Sequence, residues 1–260
     1  MSKFVLAAAV LAVGAAAATA EVKIKKVEYK HDGKTFVGQM AWDDAVKGKR
    51  PGVLVVHEWW GLNAHAKERA EMLAKLGYVA FACDMYGDGK TAAHPDDARK
   101  MSGEVRKNVA EWQARAAAAL EVLEKDEHCD PTRLAAIGFC FGGSTALQLA
   151  ASGAPLKAVA TFHAALPPFK DGEAKKITAK VQINHGQDDF FISPESIAAF
   201  KKALDDAKVS YTFTEYPGAV HSFTAKDADK LTIKGMAYNK NADEKSWAAM
   251  TALFADVFKK

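Results

Sequence analysis

The sequence predicts an α/β fold: a mostly parallel, doubly wound sheet with helices on both faces and an antiparallel hairpin at its N-terminal end. Three observations carry this. Short, continuous apolar runs such as Gly52-Val53-Leu54-Val55-Val56 and Tyr78-Val79-Ala80-Phe81-Ala82 are of the kind found in strands covered on both faces. Helix-length stretches alternate with those runs, the pattern of parallel βαβ crossovers. Before the first of them lie two alternating runs joined through a turn sequence, the signature of a hairpin.

The first twenty residues stand apart from this pattern. Lys3, an apolar run from Phe4 and the small residues ending Ala18-Thr19-Ala20 read as a secretory signal peptide cleaved after Ala20. The expected mature chain, 21–260, is a single domain that is periplasmic or secreted and no longer tied to a membrane. Its elements follow in order. Val22 to Tyr29 and Thr35 to Trp42 form the hairpin across His31-Asp32-Gly33-Lys34. The first buried strand ends at Val56, a helix runs from Ala64 to Leu76 and stops at Gly77, and the second buried strand follows. A long helical stretch reaches Glu124, then come the strand Arg133 to Phe139, a helix from Gly142 to Ala151 and the strand Leu156 to Phe162. Val181 to Asn184 and Tyr211 to Glu215 are strands flanking a helix opened by Ser193-Pro194-Glu195, and Glu244 to Phe258 closes the chain as a helix. Sheets of this kind carry their sites in the loops after the strands' carboxyl ends.

Composition narrows the function. Loss of Lys3 with the leader leaves 34 basic against 32 acidic side chains, a formal charge of +2, which points away from nucleic acid as a partner. Three cysteines, Cys83, Cys129 and Cys140, are too few for a disulfide framework, and an odd number leaves at least one thiol free. No HxxxH or CxxC spacing supports a metal site, and neither metal nor cofactor is expected.

The loop after the strand ending at Phe139 reads Gly138-Phe139-Cys140-Phe141-Gly142-Gly143 and leads directly into a helix. A glycine-flanked nucleophile on a sharp strand-to-helix turn is a nucleophile elbow, here with cysteine. Unpaired N–H groups at a helix start favour the thiolate, the reactive form. The backbone N–H of Phe141 is then one oxyanion donor, and the loop His57-Glu58-Trp59-Trp60-Gly61 supplies the other near Trp59. An acid is expected after a later strand, and His185-Gly186-Gln187-Asp188-Asp189 offers two. Counting from Gly186 selects Asp189, with Asp188 as the alternative and as a turn residue. His221, after the turn Tyr216-Pro217-Gly218, completes the order nucleophile, acid, base: it would take the thiol proton while Asp189 fixes its tautomer.

Together these segments resemble the dienelactone hydrolase family over nearly all of the mature chain. The matching pieces are His57-Glu58-Trp59-Trp60-Gly61-Leu62-Asn63, Cys83-Asp84-Met85-Tyr86-Gly87, the Cys140 elbow, Gly186 to Ile192, and Gly218-Ala219-Val220-His221-Ser222-Phe223. The resemblance implies an α/β-hydrolase fold with a Cys140-Asp189-His221 triad, no metal or cofactor, a monomer, and a small ester or lactone as substrate. It also implies a role for Glu58, a carboxylate that modulates the nucleophile. Trp60 and Tyr86 are expected to line the substrate pocket. The family's two substrate-binding arginines have no counterpart in Gly87-Asp88-Gly89-Lys90 or Phe223-Thr224-Ala225-Lys226. Lys90 or Lys226 would replace a planar fork with a flexible point charge, which argues against dienelactone itself.

Other residues have plainer expectations. His163 follows a strand and could reach the site, but it and His185 read rather as satisfied histidines at strand ends, Cys83 as a small buried hydrophobe, and Cys129 as an exposed turn residue open to oxidation. Against the leading function, a thiol-dependent ester or lactone hydrolase passing through an acyl-enzyme, stand a binding protein that kept the fold without turnover and a redox protein cycling Cys140. The latter needs Cys83 or Cys129 as a resolving thiol.

Overall fold

The computed structural model describes residues 21–170 and 172–259, so the predicted leader and its cleavage point at Ala20 lie outside the described residues. One eight-stranded sheet has the order β1-β2-β4-β3-β5-β6-β7-β8. Strands β1 (Val22–His31) and β2 (Lys34–Asp43) form the antiparallel hairpin, and β2 joins the rest by an antiparallel contact with β4 (Val79–Cys83). The remaining strands, β3 (Arg50–Val56), β5 (Cys129–Phe139), β6 (Leu156–Phe162), β7 (Lys180–Gly186) and β8 (Tyr211–Tyr216), run parallel to β4 and to one another. Asp32 and Gly33 both take positive φ, the conformation a two-residue turn demands if it is to match the twist of its strands.

Helices cover both faces, as the alternation predicts. α1 (Ala64–Lys75) and α6 (Lys240–Val257) pack over one face on Leu73, Met250 and Phe254; α3 (Val109–Glu124), α4 (Phe141–Ala151) and α5 (Pro194–Asp206) cover the other through Leu120, Leu147 and Leu204. α4 is buried along its whole length, which explains its lack of a polar stripe.

Three sequence expectations need correction. The long helical stretch before Glu124 is two helices, α2 (Pro95–Arg106) and α3, because the Asn108 side chain accepts from Glu111 N (3.2 Å) and starts the second one. α6 begins four residues earlier than expected, at Lys240, where Asn239 caps it in the same way. Cys129 is not an exposed turn residue: β5 starts there, pairs with Arg50, and tucks the sulfur under Gly52, where a Cβ would collide with it.

Candidate active site

All six parallel strands deliver a residue to the same end of the sheet. β3 leads to Glu58, β4 to Tyr86, β5 to Cys140, β6 to His163, β7 to Asp189 and β8 to His221. This is the carboxyl end, where unpaired strand termini and helix starts converge.

Cys140 sits between β5 and α4 with φ 52° and ψ −115°, a left-handed conformation that costs a non-glycine residue about 1–3 kcal/mol. The surrounding glycines show what enforces it. A Cβ on Gly138 would strike the Gly142 carbonyl, one on Gly142 the Val56 and His57 carbonyls, and one on Gly143 the Ala164 side chain. Cys140 N donates to Phe162 O (3.0 Å), and its carbonyl accepts from Gly143 and Ser144, so the turn is held from both sides. Phe141, the first residue of α4, is fully buried between Trp112, Tyr86 and His57 at ring separations of 5.7 to 5.9 Å. Its N–H belongs to the helix's unpaired first turn, and the ring packing fixes its direction.

The structure brings His221 and Asp189 together: Nδ1 lies 2.7 Å from Asp189 Oδ2, and the side chains are buried. The other carboxylate oxygen accepts from Phe191 N at 3.0 Å. Asp188 points elsewhere, exposed, with its N–H on the Ala219 carbonyl. Burial alone would lower the His221 pKa, but the neighbouring Cys140 sulfur and Asp189 outweigh it and raise it to about 10. The imidazole is thereby biased toward its protonated form by the two groups that face it, the Cys140 sulfur and the Asp189 carboxylate.

The loop after β3 is fixed by its own contacts. The Glu58 carbonyl accepts from Gly61 N (3.3 Å) and from the His57 ring, whose far nitrogen takes the Met85 N–H at 3.2 Å. Holding that carbonyl orients the peptide it shares with Trp59, and hence the Trp59 N–H. Tyr86 OH donates to Trp59 O (2.8 Å), and the turn carrying Tyr86 is built on Asp84, whose carboxylate accepts from the N–H groups of Val37, Tyr86, Gly87 and Gly89. Tyr86 itself lies close enough to Cys140 for the sulfur to help burial hold its proton on.

The Glu58 carboxylate belongs to a buried polar group. Its Oε1 accepts from Ser222 Oγ at 3.0 Å and lies 4.0 Å from His163 Nδ1, while Oε2 is 3.9 Å from His65 Nδ1. Burial raises the Glu58 pKa, opposed by Ser222, His221 and Arg69. Burial likewise drives both histidines neutral, His65 to about 3 and His163 well down. His163 Nε2 meets Thr224 Oγ1 at 2.8 Å but its Nδ1 is unpaired, so the expectation of a satisfied histidine holds at one nitrogen only; the buried His185 also has an unpaired Nδ1. Cys140, His163 and Ser222 are the buried non-glycine residues with positive φ among the described residues. Strain of this kind gathers where surrounding structure holds a functional geometry.

Two cavities flank the site. One, about 650 Å³, is lined by Glu58, Trp60, His65, Arg69 and Thr224; the other, about 670 Å³, by Asp188, Asp189, Phe190 and Lys201. Cys140 and His221 do not line either of them and are 8 and 4% exposed. Trp60 lines the first of these cavities, beside Glu58. Sequence reasoning missed Ser222, Arg69, Arg106 and the pair Phe190-Phe191. Arg106 closes α2 and sits over the Phe141 ring at 5.2 Å, bringing a guanidinium to the site from a segment with no motif. Cys83 and Cys129 are free and buried; burial pushes the Cys83 thiol far up and Cys129 to about 12, which suits neither as a resolving thiol.

Known proteins resemble this chain in sequence and fold. A family model described as the dienelactone hydrolase family matches residues 36–258. A solved structure called m3DLH is 42% identical, covering 92% of this chain and 99% of its own, with a TM-score of 0.90. Another, a dienelactone hydrolase-like promiscuous phosphotriesterase from metagenomic libraries, is 40% identical with the same coverage and a TM-score of 0.89. A relative in Aquifex aeolicus, provisionally named a carboxymethylenebutenolidase, is 29% identical over 76% of this chain and 85% of its own.

Proposed function

The chain belongs to the dienelactone hydrolase family and is a hydrolase of the ester or lactone type, and from that premise we propose that it works through Cys140, His221 and Asp189 by way of an acyl-enzyme. The observation that carries the reading is the buried Asp189–His221 contact at 2.7 Å beside a strained Cys140 at the head of α4. The sulfur attacks the substrate carbonyl, and the N–H groups of Phe141 and Trp59 receive the oxyanion. His221 gives its proton to the leaving oxygen, then takes one from water as the thioester is hydrolysed and the thiolate departs. Asp189 keeps Nδ1 protonated, so that Nε2 faces the reaction. Glu58 sets the proton balance of the nucleophile by moving between Ser222 and the sulfur.

Hydrolysis of activated short-chain esters and simple lactones tests this. Cys140→Ala and His221→Ala are expected to lose turnover by on the order of 10³-fold or more, and Asp189→Asn by a comparable factor, with Asp188→Asn unaffected. Acyl-enzyme trapped on Cys140 by rapid acid quench would appear as an acyl mass on the elbow peptide; turnover surviving in Cys140→Ala sinks the mechanism. A phosphotriester belongs in the same panel because of the 40% identical promiscuous phosphotriesterase. We also propose that the chain is exported with cleavage after Ala20, which intact mass of the mature protein, beginning at Glu21, would verify.

A further inference from the structure

Phe190 and Phe191 follow the triad aspartate and are 60 and 47% exposed, yet they are not loose. Their rings pack against each other, tilted by 34°, at 4.7 Å, and Phe191 meets the His221 ring edge-on at 5.3 Å. Phe191 N is tied to Asp189 Oδ1. Behind the pair lies Gly235, where a Cβ would collide with the Phe190 ring and come within 3.2 Å of Phe191. That glycine's carbonyl accepts from His221 N at 3.1 Å, so the aromatic pair, the histidine and the Gly235 segment form one unit. Two large apolar rings left in water beside a nearly closed reaction centre are a binding surface.

We propose that Phe190 and Phe191 form the wall that receives the alcohol portion of the substrate, so that the enzyme prefers esters whose leaving alcohol is flat and apolar. The inference rests on the ester or lactone reading. Its direction comes from where the reacting atoms must lie. The carbonyl oxygen points to the N–H groups of Phe141 and Trp59, whereas the leaving oxygen must meet the imidazolium that protonates it. As the C–O bond breaks and the proton passes from His221 to that oxygen, whatever hangs from the oxygen lies on the His221 side, against Phe191. The acyl group stays on the sulfur as a thioester, and water then cleaves the C–S bond. The aromatic wall therefore acts on acylation and is idle in deacylation.

The test compares ethyl, benzyl and 2-naphthylmethyl acetates, which leave the same acetyl-enzyme and have leaving oxygens of similar basicity. Wild-type kcat/KM is expected to rise about ten-fold or more from ethyl to naphthylmethyl, while the hydrolysis rate of isolated acetyl-enzyme is common to all three. In Phe191→Ala, and further in Phe190→Ala/Phe191→Ala, that ratio collapses toward one, and Phe191→Leu restores part of it. A ratio that survives the double substitution, or a wild type indifferent to the alcohol, overturns the proposal. Failure of the mechanism itself would look different: no acetyl-enzyme on Cys140 with any of the three esters.

Discussion

At the scale of single residues, the proposed chemistry is concentrated in groups held in conformations or charge states they would not adopt alone. His221 shows the consequence for pH. Its folded pKa, about 10 against an ordinary 6.5, is raised, so the stability it contributes is complete below pH 6.5 and is lost as pH climbs through about 10. Urea unfolding of the wild type beside His221→Gln should show a stability difference that is full at pH 6 and shrinks across that window. Because burial alone would lower this pKa and the Cys140 sulfur heads the groups that raise it, Cys140→Ala should bring the titration of His221, followed by NMR, down toward neutrality; an unmoved titration would refute the pairing. Cys140, His221 and Asp189 were readable in the sequence because a strand, a turn and a glycine spacing announce them. Ser222, His163 and Phe191 were not, since each matters through contacts with residues far away in the chain, and a histidine or phenylalanine after a strand carries no sign of what will face it.

At the scale of elements, the elbow depends on absent side chains. Gly142→Ala places a methyl against the Val56 and His57 carbonyls, backbone that cannot swing aside. A loss of about 1–3 kcal/mol is expected by denaturant unfolding, with activity falling because β3 and α4 are forced apart where both proposed oxyanion donors sit. A second element-scale device is Arg69 on α1, whose buried guanidinium donates to Asp243 Oδ1 on α6 (2.7 Å) and to Thr224 O (2.8 Å), with Trp247 5.1 Å away. Arg69→Met alone strands the Asp243 carboxylate and should cost about 3–5 kcal/mol, whereas Arg69→Met/Asp243→Leu should recover most of it. A double-mutant cycle in urea measures the difference. The strands and most helices were legible from apolar runs and alternation; the misreadings were of boundaries and of one helix pair, α2 and α3, read as a single stretch. Asn108 and Glu111 offered a capping signal within a pattern that looked continuous, and Cys129 lay in a charged, proline-containing segment that concealed a strand start.

At the scale of the whole molecule, the site is a property of the finished sheet. Glu58, Cys140, Asp189 and His221 are brought together only when β3 through β8 are paired, so no shorter piece of the chain contains the whole of the proposed reaction centre. Thermal loss of activity should then coincide with loss of far-UV circular dichroism; inactivation well below that transition would mean the β7 and β8 loops melt separately. The other end of the sheet order has its own consequence. β1 is a boundary strand whose outer row of N–H and C=O groups is an open template for another strand, and it carries Lys23, Lys25, Lys26 and Lys30. A second copy docking there in antiparallel register would bring lysines against lysines, a repulsion that keeps such edges from recruiting one another. Its reach shrinks to about 3 Å in molar salt, so a chain with these lysines changed to threonine should begin to self-associate at ionic strengths where the natural one stays dispersed, and the parent itself should follow only when salt or alkali has silenced the charge.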